Sequence, residues 1–293
     1  MRARIDAAER IVLIVPADPD ADELGSACAL YAHLLRLRKT VTLFCPEAAV
    51  DTRLHCIPWS EKLTPRPDAG AELAIAFGRG AELPSACPSL SIDRRRCGED
   101  FTHSDGSDKE AVSISSILFQ WFNGIEAKIN PKMATALYAG LAERTRCFRD
   151  ACSAEVFETA AALDRSGAER SAVNNALFRN QPLSALRLKG MMFSQMLLTG
   201  NGRIALIKVD RAMLAKSGAL LPDAEAVLDE LLGLPTVRAA LLVCENDDGS
   251  VRGWVRAADK ALDTRLQQFE TDSLPSLDAQ AAFMIEHIEK ELE

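Results

Sequence analysis

The sequence has few aromatic residues, no long apolar run and no closely spaced pair of cysteines. Phenylalanine, tyrosine and tryptophan make up 5% of the 293 residues, so we expect a core built mainly from aliphatic side chains. No apolar stretch approaches the ~20 residues that a membrane-spanning helix needs, so we expect no membrane partner. The eight cysteines include no C-x-x-C pair, the spacing typical of zinc and redox sites.

The N-terminal segment and the net charge indicate where the protein is located and which partners it binds. The segment MRARIDAAER is charged and leads straight into a strand-like run, so it does not resemble a secretory signal. We therefore expect a cytoplasmic protein whose cysteines are reduced and mostly buried. The net charge of -8 argues against a protein that coats long duplex nucleic acid. A small nucleotide in a locally basic pocket remains compatible with that charge.

The first half of the chain alternates between strand-like and helical patterns. Ile11–Val15 is a short apolar run typical of a strand buried on both faces, and Leu24–Leu37 shows helical spacing. A second strand-like run, Val41–Phe44, completes a β-α-β unit, which predicts a parallel sheet. Further strands are predicted at Leu73–Phe77 and Leu90–Ile92.

A second α/β pattern follows a helical connection. Ser184–Leu198 predicts a helix rich in leucine and methionine, and strand-like runs then recur at Arg203–Val209, Val237–Cys244 and Val251–Arg256. We predict an α/β protein with a parallel-sheet domain over residues 1–183, a linker helix over 184–199 and a smaller α/β domain over 200–293.

The loop after the first strand carries three alternating carboxylates. Its sequence, PADPDADELGS, places Asp18, Asp20 and Asp22 at the carboxyl end of a predicted parallel strand, where open α/β sheets bind ligands. Clustered carboxylates repel one another unless a cation neutralises them, which indicates a metal site. The alternative is an acidic loop whose aspartates cap the helix that follows.

At this loop the sequence resembles a known family. The run P-D-x-D-x-x-G-S over residues 19–26, followed by A-L-Y, resembles the first motif of the DHH phosphoesterases. The similarity is closest to the branch of oligoribonucleases, pAp phosphatases and exopolyphosphatase-like proteins. Segments similar to later family motifs follow in order at Ser91–Asp93, Ala134–Phe148 and Ser250–Arg256.

The resemblance implies a particular fold and chemistry. It implies a DHH domain, a linker helix and a DHHA1 domain, with two manganese ions that promote hydrolysis of phosphodiesters or phosphoanhydrides. Arg256 matches the arginine with which the family binds its substrate in the second domain.

Most of the metal ligands that the resemblance implies are missing from this chain. Pro16 stands where the family has a histidine, Gly78 and Arg144 stand where it has aspartates, and the signature Asp-His-His is replaced by Asp93-Arg94-Arg95. No GGGH-type run follows Arg256. Only Asp20 and Asp22 match family ligands.

Two carboxylates are too few for two-metal chemistry. They could hold a water-rich Mg²⁺ weakly, but not two metal ions ~3.5–4 Å apart. We expect no cofactor, with Mn²⁺ or Mg²⁺ bound only if the site is active after all. Four acids without a counterpart in the family motifs stay open as further carboxylates for the site: Asp18, Glu23, Glu99 and Asp100.

Arginines stand in the place of the lost ligands. We hypothesise that Arg94, Arg95 and Arg144 occupy the space of the cations and pair with Asp20 and Asp22. Spare guanidinium donors, with Asp93 and Arg256, would then contact a phosphate. The alternative is sequence drift that leaves these arginines solvated.

Three functions remain open at this point. The first is a degenerate DHH-type protein that binds a nucleotide or short oligonucleotide in the cleft between its domains without hydrolysis. The second is an active phosphoesterase in which Asp20 and Asp22 retain a catalytic role in a non-standard site. The third is a non-catalytic interaction protein, for example a homodimer. A fold alone does not decide among them.

Overall fold

The structure is a computed structural model that describes residues 1–47, 50–78, 81, 87–94, 111–150, 152–246, 248–267 and 274–292. The chain divides into two compact units, Met1–Asn180 and Gln181–Glu293. Each unit has its own sheet and its own buried core, and they are described in turn.

The first unit alternates strands with helices over most of its length. Its strands are β1 Arg10–Ile14, β2 Thr40–Phe44, β3 Leu63–Thr64, β4 Leu73–Phe77 and β5 Ser89–Ile92. Its helices are α1 Arg2–Ala7, α2 Ala21–Arg36, α3 Ile114–Gly124, α4 Pro131–Arg144, α5 Ala154–Arg165 and α6 Arg170–Asn174, the last continued by a π-helical turn over Asn175–Arg179.

The five strands form one parallel sheet in the order β3-β2-β1-β4-β5. The central strands β1 and β4 are buried on both faces, because Ile11–Ile14 and Leu73–Phe77 are each at most 3% exposed. The fold class predicted from the sequence is therefore confirmed. The order brings the carboxyl ends of β1, β4 and β5 side by side at one edge of the sheet, as a parallel arrangement requires.

Helices α2 and α4 pack so closely that two glycines are required between them. A Cβ atom built on Gly25 of α2 would lie 2.3 Å from the carbonyl oxygen of Ala136. A Cβ on Gly140 of α4 would lie 2.1 Å from Ser115 Oγ and 2.8 Å from the Cα of Asp22. The two helices therefore approach at backbone contact distance, and this approach fixes where the loop before α2 lies.

The second unit contains a four-stranded mixed sheet. Its strands are β6 Leu197–Thr199, β7 Ile204–Val209, β8 Ala239–Glu245 and β9 Val251–Ala257, in the order β6-β7-β8-β9. Strands β7 and β8 are parallel, whereas the outer pairs are antiparallel. Its helices are α7 Leu183–Ser194, α8 Arg211–Ser217, α9 Leu221–Glu225, α10 Leu228–Leu231, α11 Lys260–Gln267 and α12 Leu277–Leu292.

The predicted helix over 184–198 is wrong at its C-terminal end. Helix α7 ends at Ser194, and Leu197–Thr199 form an edge strand antiparallel to β7. The physical reason is the turn that follows, since Gly200, Asn201 and Gly202 all have φ between 57° and 79°. This left-handed turn folds the chain back into a hairpin, so the preceding residues pair as a strand.

The structure also shows the state of the cysteines and the composition of the helices in the described ranges. The seven cysteines that the structure describes are free thiols, of which Cys28, Cys45 and Cys244 are buried and the others are half-buried. In the same ranges, no helix combines the length and the apolar composition that crossing a bilayer requires.

The contact between α2 and α4 predicts a sharp difference among glycine variants. We expect Gly25→Ala and Gly140→Ala to lower the free energy of unfolding by about 2–3 kcal/mol each, since the new methyl groups meet backbone. Gly190→Ala is the control, because Gly190 lies inside α7 with nothing within 4 Å of its added Cβ. That variant should gain about 0.5–1 kcal/mol from helix propensity. Urea unfolding measures all three, and equal effects would contradict the close approach.

Candidate functional site

Asp20 lies at the carboxyl edge of the parallel sheet, where it caps the N-terminus of α2. Its Oδ1 accepts hydrogen bonds from the backbone N–H groups of Asp22, at 2.9 Å, and Glu23, at 2.8 Å. The Glu23 carboxylate accepts from the Asp20 N–H at 3.2 Å and completes a capping box. Half of the carboxylate of Asp20 is therefore used to start a helix, as the alternative interpretation of the loop predicts.

Asp22 is fully buried and caps a different helix. Its two oxygens accept the N–H groups of Ile114, at 2.7 Å, and Ser115, at 2.9 Å, which are the first two residues of α3. Ser113 caps the next free donor through its own side chain. Burial and the nearby charge of Asp20 raise the pKa of Asp22 to about 7, although the two backbone N–H groups act to lower it. Both oxygens of Asp22 thus face backbone donors.

Glu23 brings an additional carboxylate to the end of β4. Gly78 follows β4 with φ of 78°, and a Cβ built on it would lie 1.8 Å from Glu23 Oε1. The Glu23 carboxylate therefore fills the space beside the position where the resemblance implies an aspartate. Burial, followed by the charge of Asp20, raises the pKa of Glu23 to about 7.

Arg144, the last residue of α4, supplies the positive charge of this region. Its Nη1 lies 3.5 Å from Asp20 Oδ2, so the two form an ion pair with each side chain about one-third exposed. Its Nε is buried and has no hydrogen-bond partner among the described residues, and the same holds for Oε2 of the neighbouring Glu143. Burial raises the pKa of Glu143, while Arg53 lowers it. We call Asp20, Glu23, Glu143 and Arg144 the sheet-edge site.

The chain that leaves the sheet-edge site is held in an uncommon conformation. Arg146, Cys147 and Phe148 have φ of 45°, 56° and 64°, which is the left-handed region for three successive non-glycine residues. Thr145 supports this turn, since its Oγ1 accepts the Phe148 N–H at 3.1 Å and its carbonyl accepts the Arg149 N–H at 2.9 Å. The turn thereby fixes the end of α4 that carries Arg144.

The other predicted site residues fall in three places. Asp93 and Arg94 follow β5 at the same edge of the sheet and are half-buried, and the Arg94 carbonyl accepts the Ala111 N–H at 2.9 Å. Arg256 is exposed on β9 of the second unit, opposite Ala240, and its Nη1 donates to the Val255 carbonyl at 3.3 Å. Three further predicted residues lie outside the described ranges: Arg95, Glu99 and Asp100.

The carboxylates of the sheet-edge site and of the adjacent Asp22 do not fit a pair of metal ions. Asp22 is occupied by two backbone N–H groups, Asp20 shares its carboxylate between a helix start and a guanidinium, and Glu23 accepts a backbone bond. Within the described ranges, no group of three or more histidine, cysteine, aspartate or glutamate side chains is arranged to hold a metal ion. A guanidinium at the position of a family aspartate adds repulsion for a cation.

Two residues of the sheet-edge site were not assigned by motif matching. Glu23 was left open, although its position three residues after the capping aspartate is the capping-box signal. Glu143 precedes by one residue the position that matches the family aspartate, so motif matching does not select it, and only its burial marks it.

No protein-family model matches the chain, but a comparison with solved structures found similar ones. An exopolyphosphatase-related protein from Bacteroides fragilis aligns over 99% of this chain and 96% of its own, with a TM-score of 0.81 and 18% identity. RecJ from Thermus thermophilus in complex with Mn²⁺ aligns over 99% of this chain and 53% of its own, at TM-score 0.49 and 11% identity. RecJ from Thermus thermophilus in complex with Mg²⁺ aligns over 91% of this chain and 45% of its own, with a TM-score of 0.41 and 13% identity.

The likeness to the exopolyphosphatase-related protein shows a shared fold along the whole chain. The α/β fold predicted from the sequence therefore agrees with that of a solved structure. At 18% identity the likeness extends to the fold alone. The chain also spans only about half of the length of RecJ.

The raised pKa of Glu23 predicts a pH-dependent stability. A carboxyl whose pKa rises from 4.5 to about 7 on folding favours the folded state at low pH, and this contribution is lost as the pH rises through that window. Glu23→Gln keeps a neutral side chain and an oxygen for the Asp20 N–H. We expect the variant to resemble the parent near pH 4 and to be more stable at pH 8, by about 1–2 kcal/mol after allowance for partial solvent access.

Urea unfolding at several pH values measures this difference. Glu158→Gln, which changes an exposed glutamate of α5, serves as the control and should show no such trend. A constant difference between Glu23→Gln and the parent from pH 4 to pH 8 would contradict the burial of this carboxyl.

Proposed function

We propose that this protein is a non-hydrolytic phosphoesterase-like protein that binds a nucleotide or a short oligonucleotide through the sheet-edge site. The observation that carries the proposal is the position of Arg144, which pairs with Asp20 and has a buried Nε with no partner among the described residues. A guanidinium with spare donors is well suited to a phosphate, since it offers several N–H groups in a planar fork.

The location of Arg144 supports a ligand at this edge. The carboxyl ends of strands are where open α/β sheets bind their ligands, and β1, β4 and β5 all end here. Asp93 and Arg94 follow β5 at the same edge, so they are proposed as further contacts to the ligand.

The carboxyl groups near Arg144 repel a phosphate less strongly than their number indicates. Asp22 and Glu23 each have a pKa raised to about 7, and burial also raises the pKa of Glu143. A fraction of Asp22 and Glu23 is therefore neutral near pH 7. We expect binding of a phosphate ligand to weaken as the pH rises from 6 to 8, because these groups then ionise.

The proposed lack of hydrolysis follows from the donor set. Two-metal hydrolysis needs ligands that face the ions and a bridging water of low pKa. Here the carboxylates of Asp20 and Asp22 are engaged by backbone N–H groups, and Asp20 also pairs with Arg144.

Glu23 favours a second candidate, an active phosphoesterase with a non-standard site. A carboxyl with a pKa near 7 has the acidity that suits a general acid or base at neutral pH. In that case Arg144 would stabilise charge on the phosphoryl group and Glu23 would transfer the proton.

The first proposal is tested by measuring the binding of pAp to the full chain by calorimetry at pH 6.5. We expect Arg144→Gln to weaken binding at least tenfold, or about 1.4 kcal/mol, through the loss of charge-assisted hydrogen bonds. Arg144→Lys keeps the charge but not the planar fork, and should weaken binding by an intermediate amount. Arg66→Gln is the control, since Arg66 is exposed in the same unit and should leave affinity unchanged.

Hydrolysis of pAp and of a short oligoribonucleotide is measured on the same samples with Mn²⁺. Equal affinity in the parent and Arg144→Gln, with unchanged urea unfolding, contradicts binding at the sheet-edge site. Turnover that is lost in both Asp20→Ala and Glu23→Gln overturns the non-hydrolytic proposal in favour of the second candidate.

A further inference from the structure

The second unit contains a concave cleft that none of the motifs accounts for. The cleft has a volume of about 570 Å³ and lies where β7 and β8 begin and β9 ends. Backbone bonds hold these three strand ends together, since the Arg203 carbonyl accepts the Arg238 N–H at 2.7 Å and the Arg238 carbonyl accepts the Ala258 N–H at 2.9 Å. Its volume falls in the range of small-molecule sites. We call it the second-unit cleft.

Three arginines from three different elements line the second-unit cleft. Arg203 precedes β7, Arg238 precedes β8, and Arg265 lies in α11. Arg203 is held in place by two carbonyls, because its Nε donates to Gly200 at 3.2 Å and its Nη1 donates to Leu292 at 3.4 Å. The exposed Arg238 side chain has no hydrogen bond or ion pair with any described residue, so its donors are available to a ligand.

Of the described residues, two acids line the cleft, and both are already engaged. Asp259 Oδ1 accepts the N–H groups of Ala261, at 3.1 Å, and Leu262, at 3.0 Å, at the start of α11. Glu291 accepts one bond from Arg265 Nε at 2.7 Å. Three guanidinium groups against two engaged carboxylates leave the cleft positive in a protein whose net charge is -8. A local positive field of this kind in a concave site attracts anions.

We propose that the second-unit cleft binds the phosphate groups of a small ligand. The Arg203 guanidinium, held by two carbonyls, and the Arg238 guanidinium, unpaired among the described residues, offer N–H donors that match phosphate oxygens. Leu262 and Leu292 provide an apolar wall beside the arginines, and this suits a ring or base attached to the phosphate. The described residues that line the cleft all belong to the second unit.

The proposal is tested by a calorimetric titration of the full chain with inorganic pyrophosphate at low salt. We expect saturable binding that Arg238→Gln weakens at least tenfold, because each charge-assisted contact contributes about a factor of ten or more. Arg203→Gln should weaken it similarly. Arg187→Gln is the matched control, since it removes the same charge from an exposed position on α7 outside the cleft. ADP is titrated beside pyrophosphate, and tighter binding of ADP identifies a nucleotide as the ligand.

Three outcomes would overturn the proposal. Absence of saturable pyrophosphate binding removes the site. Equal weakening by Arg238→Gln and Arg187→Gln shows a general effect of charge. Loss of pyrophosphate binding in Arg144→Gln but not in Arg238→Gln places the anion at the sheet-edge site. Urea unfolding of Arg238→Gln should match the parent, since the side chain makes no hydrogen bond or ion pair with the described residues.

Discussion

The buried carboxylate of Asp22 is the interaction on which the carboxyl edge of the first sheet depends. It joins α2 to α3 by accepting the first two N–H groups of α3, and Gly140 of α4 packs against its Cα. Such bonds to a charged group contribute about 1.5–3 kcal/mol each, and removing a buried acceptor leaves its donors unsatisfied. An aspartate that resembles a metal ligand by sequence is thus a structural residue that fixes three helices.

The rest of the sheet-edge site follows from that constraint. With Asp22 committed to α3, Asp20 retains one oxygen that does not cap α2, and Arg144 lies 3.5 Å from it. Glu23 then fills the space that Gly78 leaves open, and burial holds a fraction of the carboxyls neutral near pH 7. A guanidinium and protonated carboxyls reduce the repulsion among the acids, which a metal ion would otherwise have to offset. The same guanidinium gives the site a donor for phosphate.

Much of the fold could be predicted from the sequence, because short apolar runs specify the buried strands and helical periodicity specifies the longer helices. The strands β1, β4 and β5 and the helix α2 lie within a few residues of their predictions. The short elements α1, β3, α8 and α11 were not predicted, because a segment of eight residues or fewer is too short to show a clear hydrophobic period. Strand β6 was predicted as helix, because leucine-rich sequence fits both and only pairing with β7 decides between them.

The site was harder to predict, since its character depends on which partners each carboxylate meets. Arg144 lies 3.5 Å from Asp20, and the hypothesis that arginines occupy the space of the lost cations stays a prediction. Nothing in the spacing of Asp20 and Asp22 shows that one faces α3 and the other Arg144, because the N–H groups of Ile114 and Ser115 are 92 and 93 residues away in the chain. The role of Glu23 likewise requires its contact with Gly78, which only the folded chain brings about.

The central claim, which rests on the proposed function, is that a guanidinium and engaged carboxylates occupy the place where the resemblance to DHH phosphoesterases implies metal ions. The most direct test is the manganese content of the full chain after dialysis against Mn²⁺ and removal of loosely held ions. The account predicts no retained manganese. Near-stoichiometric manganese that is lost in Asp20→Ala would contradict it, because Asp20 would then be a metal ligand and not the partner of Arg144.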